Sequence, residues 1–308
     1  MGEQFSLATI NDGRGPAAAV VRGDEVRVLA GRPSVAHLLE DWEGVDRLAE
    51  NVASGRVEEP TSLAAVRVLP PVPAPPNLYM VGANYADHSR EMQGLGPEDP
   101  IARPPEGPFI FLRPTTTLVG HGEQVVLPSK YRRVDWELEL AVVIGKRAHN
   151  VSEADALDYV AGYTVANDIS VRDAFKRSED SEIVFQFDWF GQKAWYTSCP
   201  MGPAILPREF CGDVDNLGLR LTVNGETKQE SNTREMIFSV EEIISYISRV
   251  VPLVPGDLIC TGTCAGVGLG RGEFLAAGDV VVAEIEGIGA LVNETVAEID
   301  APAPALSR

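Results

Sequence analysis

Basic residues are scarce in this sequence: its 308 residues carry 26 Lys and Arg against 45 Asp and Glu, a formal net charge of −19. Nucleic-acid binding relies on clustered Lys and Arg that neutralise phosphates, so no nucleic-acid partner is expected. A small anionic substrate stays open, because a few local cations and a metal override a global field. Cysteine is sparse too. Cys199, Cys211, Cys260 and Cys264 read as reduced thiols of a cytoplasmic protein, not as a disulfide framework. Cys260 and Cys264 lack the two-residue zinc spacing and a nearby His, which argues against structural zinc. No uncharged apolar run approaches the ~20 residues that cross a bilayer. The N-terminal residues lack the basic start and apolar stretch of a signal peptide, so neither membrane insertion nor export is expected. Gly2 and Ser6 fit the loose myristoylation pattern, but without basic neighbours the match reads as chance.

What is present is an ordinary globular composition, 44% hydrophobic and 23% charged. The length suits one large domain plus a small one. Half of residues 69–78 are proline, which continues neither a helix nor a central strand. The boundary is placed there: a small N-terminal α/β domain over 1–70 and a catalytic domain over 71–308. In the first, Ala17–Val21 and Glu25–Leu29 flank Arg22-Gly23-Asp24 as a hairpin, and Ser34–Leu48 predicts one or two short helices. In the second, residues 93–108 hold five prolines and little apolar content, the composition of a surface loop or lid. Asn224-Gly225 predicts a type I′ hairpin turn. Ser239 and Glu242 form a capping box before a helix presenting Ile243, Ile244, Ile247, Val250 and Val251 on one side. A Gly-Asp turn at Gly278-Asp279 precedes an apolar strand over Val280–Ile285. The glycines from Gly262 to Gly272 fit neither G-x-G-x-x-G nor a Gly-Lys-Ser/Thr loop, so no nucleotide site is expected.

The chemistry points to Val134–Ile144. On a strand Val134, Trp136, Leu138 and Leu140 share one face, and Asp135, Glu137 and Glu139 the other. Same-face neighbours sit about 6.7 Å apart, close enough for two carboxylates to converge on one ion. From Ala141 to Ile144 both faces turn apolar, the mark of a strand entering a core. On spacing alone, an edge strand whose charges discourage aggregation explains the acids somewhat better than a metal site does. A second apolar strand, Tyr163–Ile169, carries Asp168 near its end. Three carboxylates on adjacent strands make a hard oxygen site of the kind Mg²⁺ takes.

The segments GANYADHSREM (82–92), VDWELELAVVIG (134–145), DYVAGYTVANDISVRD (158–173), GQKAWYTSCPMGP (191–203) and PGDLICTGTCAGVG (255–268) occur in one order. With PFIFLRPTTTLVG (108–120) and NGETKQESNTREMIF (224–238), that combination resembles the fumarylacetoacetate hydrolase family over nearly all of the catalytic domain. The resemblance implies an α+β fold with a strand-rich, rolled mixed β-sandwich, usually in a homodimer. It implies Glu137, Glu139 and Asp168 as ligands of Mg²⁺ or Mn²⁺, and His88 with Glu91 as a water-activating dyad. Lys193 matches a lysine that holds substrate or stabilises developing negative charge. Arg113 stands where many members carry Lys, and Thr263 matches a loop that contacts the substrate carboxylate. Cys264 replaces the family's usual proline, and a small core-like cysteine is expected there, not a nucleophile.

The expected activity is metal-dependent hydrolysis of a C–C bond in a 2,4-dioxo acid of the acylpyruvate type, releasing pyruvate and a carboxylic acid. Decarboxylation of an oxaloacetate-like acid, or isomerisation or hydration of a dienoic 2-keto acid, would use the same metal site. A ligand-binding homologue without catalysis is the remaining alternative. In each case the partner is a small 2-keto acid.

Overall fold

The computed structural model describes residues 4–42, 44–177, 182 and 186–300; Gly2 lies outside them. The N-terminal hairpin forms as expected, Pro16–Arg22 pairing antiparallel with Glu25–Val28 so that Val21 faces Val26. Ser34 caps the helix Val35–Glu40 by accepting from the His37 amide at 3.0 Å. A second helix, Val45–Ala53, runs past the expected end of this region.

Two sheets make the body of the protein. In the larger, Ser6–Asn11, Cys199–Pro207, Val160–Asn167, Leu138–Ile144, Leu258–Thr263, Leu78–Gly82 and Phe109–Leu112 lie side by side in that order. The N-terminal strands extend this sheet through Ser6–Asn11, where Leu7 pairs with Ile205. The smaller sheet orders Glu226–Asn232, Gly218–Val223, Val280–Ile285, Gly289–Ala297 and Val125–Leu127. Its first hairpin turns at Asn224 and Gly225, both at positive φ (53° and 81°), as a type I′ turn requires.

The two-residue period of a strand explains how the sheets pack. Leu138, Leu140, Val142 and Ile144 enter a core shared with Leu219, Leu221, Ala283 and Ile285 of the smaller sheet. Ala141 and Val143 point the other way, into a second core with Leu39, Leu78 and Met80. That strand is therefore central and buried throughout, which removes the edge-strand explanation for its acids.

The capping box at Ser239 and Glu242 opens the helix Val240–Val250, whose Ile243, Ile244 and Ile247 are buried in the first core. Val250 and Val251 depart from expectation: they are 74% and 39% exposed, because the core ends one turn earlier and the chain turns away. Residues 94–108 form neither helix nor strand. Arg103 fastens this loop, pairing with Glu242 and stacking 4.3 Å from the Phe238 ring centroid. Among the described residues no helix is long and apolar enough to cross a membrane.

Candidate active site

Trp136 and Glu137 interrupt the strand expected to run from Val134 to Ile144, splitting it into Val134–Asp135 and Leu138–Ile144. Side chains take over the ladder there. The Trp136 amide donates to Asp135 Oδ1 (2.8 Å), and the Glu137 amide donates to Asn167 Oδ1 (2.9 Å). The Leu138 amide donates to Gln229 Oε1 at 2.9 Å. The break leaves every backbone donor satisfied while turning Glu137 toward Asp168, whose own amide donates to the Glu137 carbonyl at 2.8 Å.

Glu137, Glu139 and Asp168 are all buried, and one carboxylate oxygen from each lies within 4.8 Å of the others. Such a group needs compensation in a low-dielectric interior. Lys193 Nζ bridges Glu137 Oε2 (2.8 Å) and Asp168 Oδ2. Arg113 pairs with Asp168 Oδ1, and Arg172 lies 2.7 Å from both Glu137 Oε1 and Asp135 Oδ2. Four buried carboxyl groups thus meet three cations, and ionising all four would leave one negative charge in excess. Burial and the neighbouring Glu137 push Glu139 up to about 8. Burial also acts on Glu137, but Lys193 and Arg172 overcome it and hold that carboxyl at about 2. Burial pushes the Lys193 ammonium down, against the pull of Glu137.

An all-oxygen set of three carboxylates, with surplus negative charge once all are ionised and no Cys or His among them, fits a hard divalent cation. The surroundings hold the set in place. Ser170 Oγ donates to Glu137 Oε1 (3.0 Å) and the Gly262 amide donates to Glu139 Oε2 (2.8 Å). Gly262 sits at φ +95°, and a Cβ there would meet Asn84 Cβ at 2.9 Å, so only glycine brings its amide to Glu139.

His88 and Glu91 lie on the helix Ala86–Gln93 with Nδ1 and Oε2 3.4 Å apart. Glu91 also accepts from the Gly266 amide at 3.0 and 3.1 Å. That contact needs the backbone of Gly266 (φ +94°), where a Cβ would sit 2.1 Å from the Lys228 carbonyl oxygen. His88, the three carboxylates, Lys193 and Thr263 line one cleft of about 380 Å³. Thr263 donates its hydroxyl to the Leu138 carbonyl at 2.9 Å.

Arg113 stands apart from the other sequence-derived residues. Its side chain is fully buried, donates to Ile169 O (3.3 Å) and Ser198 O, and lies behind Asp168, outside the lining of the cleft. Its contacts are those of a group that positions a carboxylate. Cys264 is a buried thiol whose sulfur lies 3.6 Å from Gln229 Nε2. A larger groove of about 820 Å³, bordered by Arg67, His121 and Tyr196, holds none of the carboxylates.

Sequence reasoning gave no role to Arg172, Asp135 or Gln229. An Arg four residues after Asp168, in the polar segment Ser170–Asp173, was the one local signal for Arg172. Gln229 carried none: it is fully buried, and its amide joins Leu138 to Thr263 and Cys264 across distant segments.

Comparison with known proteins agrees with this architecture. The family model described as the fumarylacetoacetate (FAA) hydrolase C-terminal domain matches residues 77–296. A mitochondrial oxaloacetate tautomerase of Rattus norvegicus is 40% identical over 233 residues, 75% of this chain and 70% of the relative. The solved 2-hydroxyhepta-2,4-diene-1,7-dioate isomerase of Mycobacterium marinum superposes with a TM-score of 0.70 at 33% identity, covering 96% of this chain and 99% of its own. A maleylpyruvate hydrolase of Sphingobium sp. SYK-6, solved in complex with manganese(II) and pyruvate, gives a TM-score of 0.74 at 29% identity, covering 95% and 99%. These relatives are enzymes named for small keto acids or their enol forms. The chain belongs to the fumarylacetoacetate hydrolase family.

Proposed function

We propose that this protein hydrolyses the C3–C4 bond of a 2,4-dioxo acid of the acylpyruvate type, with Mg²⁺ or Mn²⁺ held by Glu137, Glu139 and Asp168. The observation that carries the reading is the His88–Glu91 pair beside a buried group of three carboxylates. A divalent ion in that group would supply Lewis acidity at the 2-keto oxygen. The chain's own residues do the rest. With the Nδ1 proton directed to Glu91, His88 Nε2 is bare and takes a proton from water. The hydroxide adds to the C4 carbonyl carbon, and the C3–C4 bond breaks with its electron pair leaving on C3 as the enolate of pyruvate. Lys193 offsets the charge that develops on the enolate oxygen. The imidazolium returns its proton to C3, so one water and one dioxo acid give one carboxylic acid and one pyruvate. The loop of Thr263, which lines the same cleft, would receive the substrate carboxylate.

Keto–enol tautomerisation of an oxaloacetate-like acid is the second reading, favoured by the 40% identity to an oxaloacetate tautomerase. It uses the same base at C3 and needs no water. Family membership further supports a homodimer.

The test is pyruvate release from a panel of 2,4-dioxo acids with Mg²⁺, Mn²⁺ or EDTA, beside Glu137→Ala. Metal-dependent pyruvate together with the matching acid supports hydrolysis. A folded, metal-binding protein that cleaves none of them but interconverts oxaloacetate and its enol replaces it with the second reading.

A further inference from the structure

We propose that the outer half of the cleft is an aryl-binding wall, so that the preferred substrate is a 2,4-dioxo acid whose acyl group is a flat aromatic ring. The inference rests on the proposed 2,4-dioxo acid chemistry and concerns the end of the substrate that this chemistry leaves unspecified. The carboxylates and Lys193 in the cleft are buried, and Met92, Phe111, Phe175, Trp189 and Leu269 also line it. Trp189 is the centre of the aromatic group, in ring contact with Phe111, Phe175 and, at 5.3 Å, Phe109. Phe111 and Trp189 have centroids 5.3 Å apart, and Phe175 meets Trp189 edge-on at 5.0 Å and 72°. Trp189 nevertheless remains 38% exposed and Met92 44%. Aromatic side chains on solvent-facing pocket walls, not packed away, mark apolar binding surface.

The spacing between wall and floor suits such a group. Trp189 and Lys193 are four residues apart on the same short helix, so they share a face about 6 Å apart along its axis. Lys193 Nζ lies 6.0 Å from the Phe111 ring centroid. In an aroylpyruvate, bonds of about 1.5 Å place the ring centre roughly 5 Å from the 2-keto carbon. A head group at Lys193 therefore sets the ring against Phe111 and Trp189. Besides Lys193 the cleft is lined by Arg172, Arg133 and Lys176, and Arg172 is already paired with Asp135 and Glu137. Arg133 already stacks on Phe274, its guanidinium carbon 5.0 Å from that centroid.

The experiment compares three ligands sharing one head group, oxamate, N-benzyloxamate and N-oxalylglycine, by calorimetric titration of the Mn²⁺-loaded protein. N-benzyloxamate is expected to bind at least about tenfold more tightly than the other two. Trp189→Ala is expected to shrink that ratio to about threefold or less, and Phe175→Leu, which keeps apolar volume, to lower it part of the way. Equal or tighter binding of N-oxalylglycine overturns the proposal, as does a ratio unmoved in both variants or no binding of N-benzyloxamate. Failure of the hydrolase reading would appear separately, as absence of pyruvate from every dioxo acid with the ligand ranking intact.

Discussion

Arg172 and Asp135 form a buried ion pair, with both Nε and Nη2 of the guanidinium 2.7 Å from Asp135 Oδ2. The Asp135 side chain is fully buried and Arg172 is 12% exposed, so neither charge is solvated without the other. Asp135 also accepts from the amides of Gly268 (2.5 Å) and Leu269 (2.9 Å), which ties the turn after Thr263 to the segment that leads into Glu137. Removing the guanidinium strands a buried carboxylate. Arg172→Met is therefore expected to destabilise the protein by about 3–5 kcal/mol, read from urea unfolding. Adding Asp135→Asn should recover part of the loss, because the orphaned charge goes with it. A loss under about 1 kcal/mol would show that the pair is not energetically isolated from water.

The charge surplus at the three carboxylates yields a second prediction. Burial and Glu137 raise Glu139 to about 8 from its ordinary 4.5, so at pH 7 the metal-free protein keeps that carboxyl protonated. A carboxylate must lose its proton to ligate an ion. Mn²⁺ binding at pH 7 is expected to release about one proton, and metal affinity to rise with pH until about 8. Between 4.5 and 8 the metal-free folded state holds more protons than the unfolded chain, so its stability should fall as pH rises through that window. Titration calorimetry in buffers of different ionisation enthalpy counts the protons. An observed enthalpy independent of the buffer rules the prediction out.

Much of the site was legible because strand periodicity and capping are local. The two-residue period pointed Glu137 and Glu139 to one side, and the run of apolar residues after them marked the buried strand Leu138–Ile144. The hairpin at Asn224-Gly225 and the helix after Ser239 were fixed by short-range turn and cap chemistry. Less legible was whatever depends on contacts far apart in sequence. The break at Trp136 and Glu137 arises because Asn167 and Gln229 capture backbone donors from other strands, which no pattern within 134–144 encodes. Arg113 has the composition of a substrate cation, yet the fold places it behind Asp168. The aromatic wall is drawn from three separate segments, so no single stretch revealed it.

Cys264 occupies a position where its chemistry is readily tested. It is fully buried, and burial pushes its thiol up, which leaves little thiolate for nucleophilic attack. In the native protein Cys264, Cys199 and Cys260 should resist iodoacetamide, while the half-buried Cys211 reacts first. Mass spectrometry of the alkylated peptides gives the order. Cys264→Ala should cost about 1 kcal/mol of stability through lost packing and leave kcat within about twofold. A collapse of kcat in that variant would restore the thiol as a participant.

The dyad makes the strongest kinetic claim. His88 lines the same cleft as the carboxylates, and its Nδ1 faces Glu91. His88→Ala should lower kcat for dioxo acid cleavage by about 10²- to 10⁴-fold, the usual worth of a positioned base. Mn²⁺ affinity should change little, since the three ligands and Lys193 are untouched. Glu91→Gln is the more discriminating variant. Its amide carbonyl can still accept from the Gly266 amide, so the loop keeps its anchor while the charge beside the imidazole is lost. A fall of about ten- to a hundredfold in kcat with unchanged KM would assign Glu91 to orienting His88. If both variants cleave dioxo acids at the wild-type rate, the base lies elsewhere. If they lose cleavage but keep tautomerisation of oxaloacetate, the two readings use different bases within one cleft.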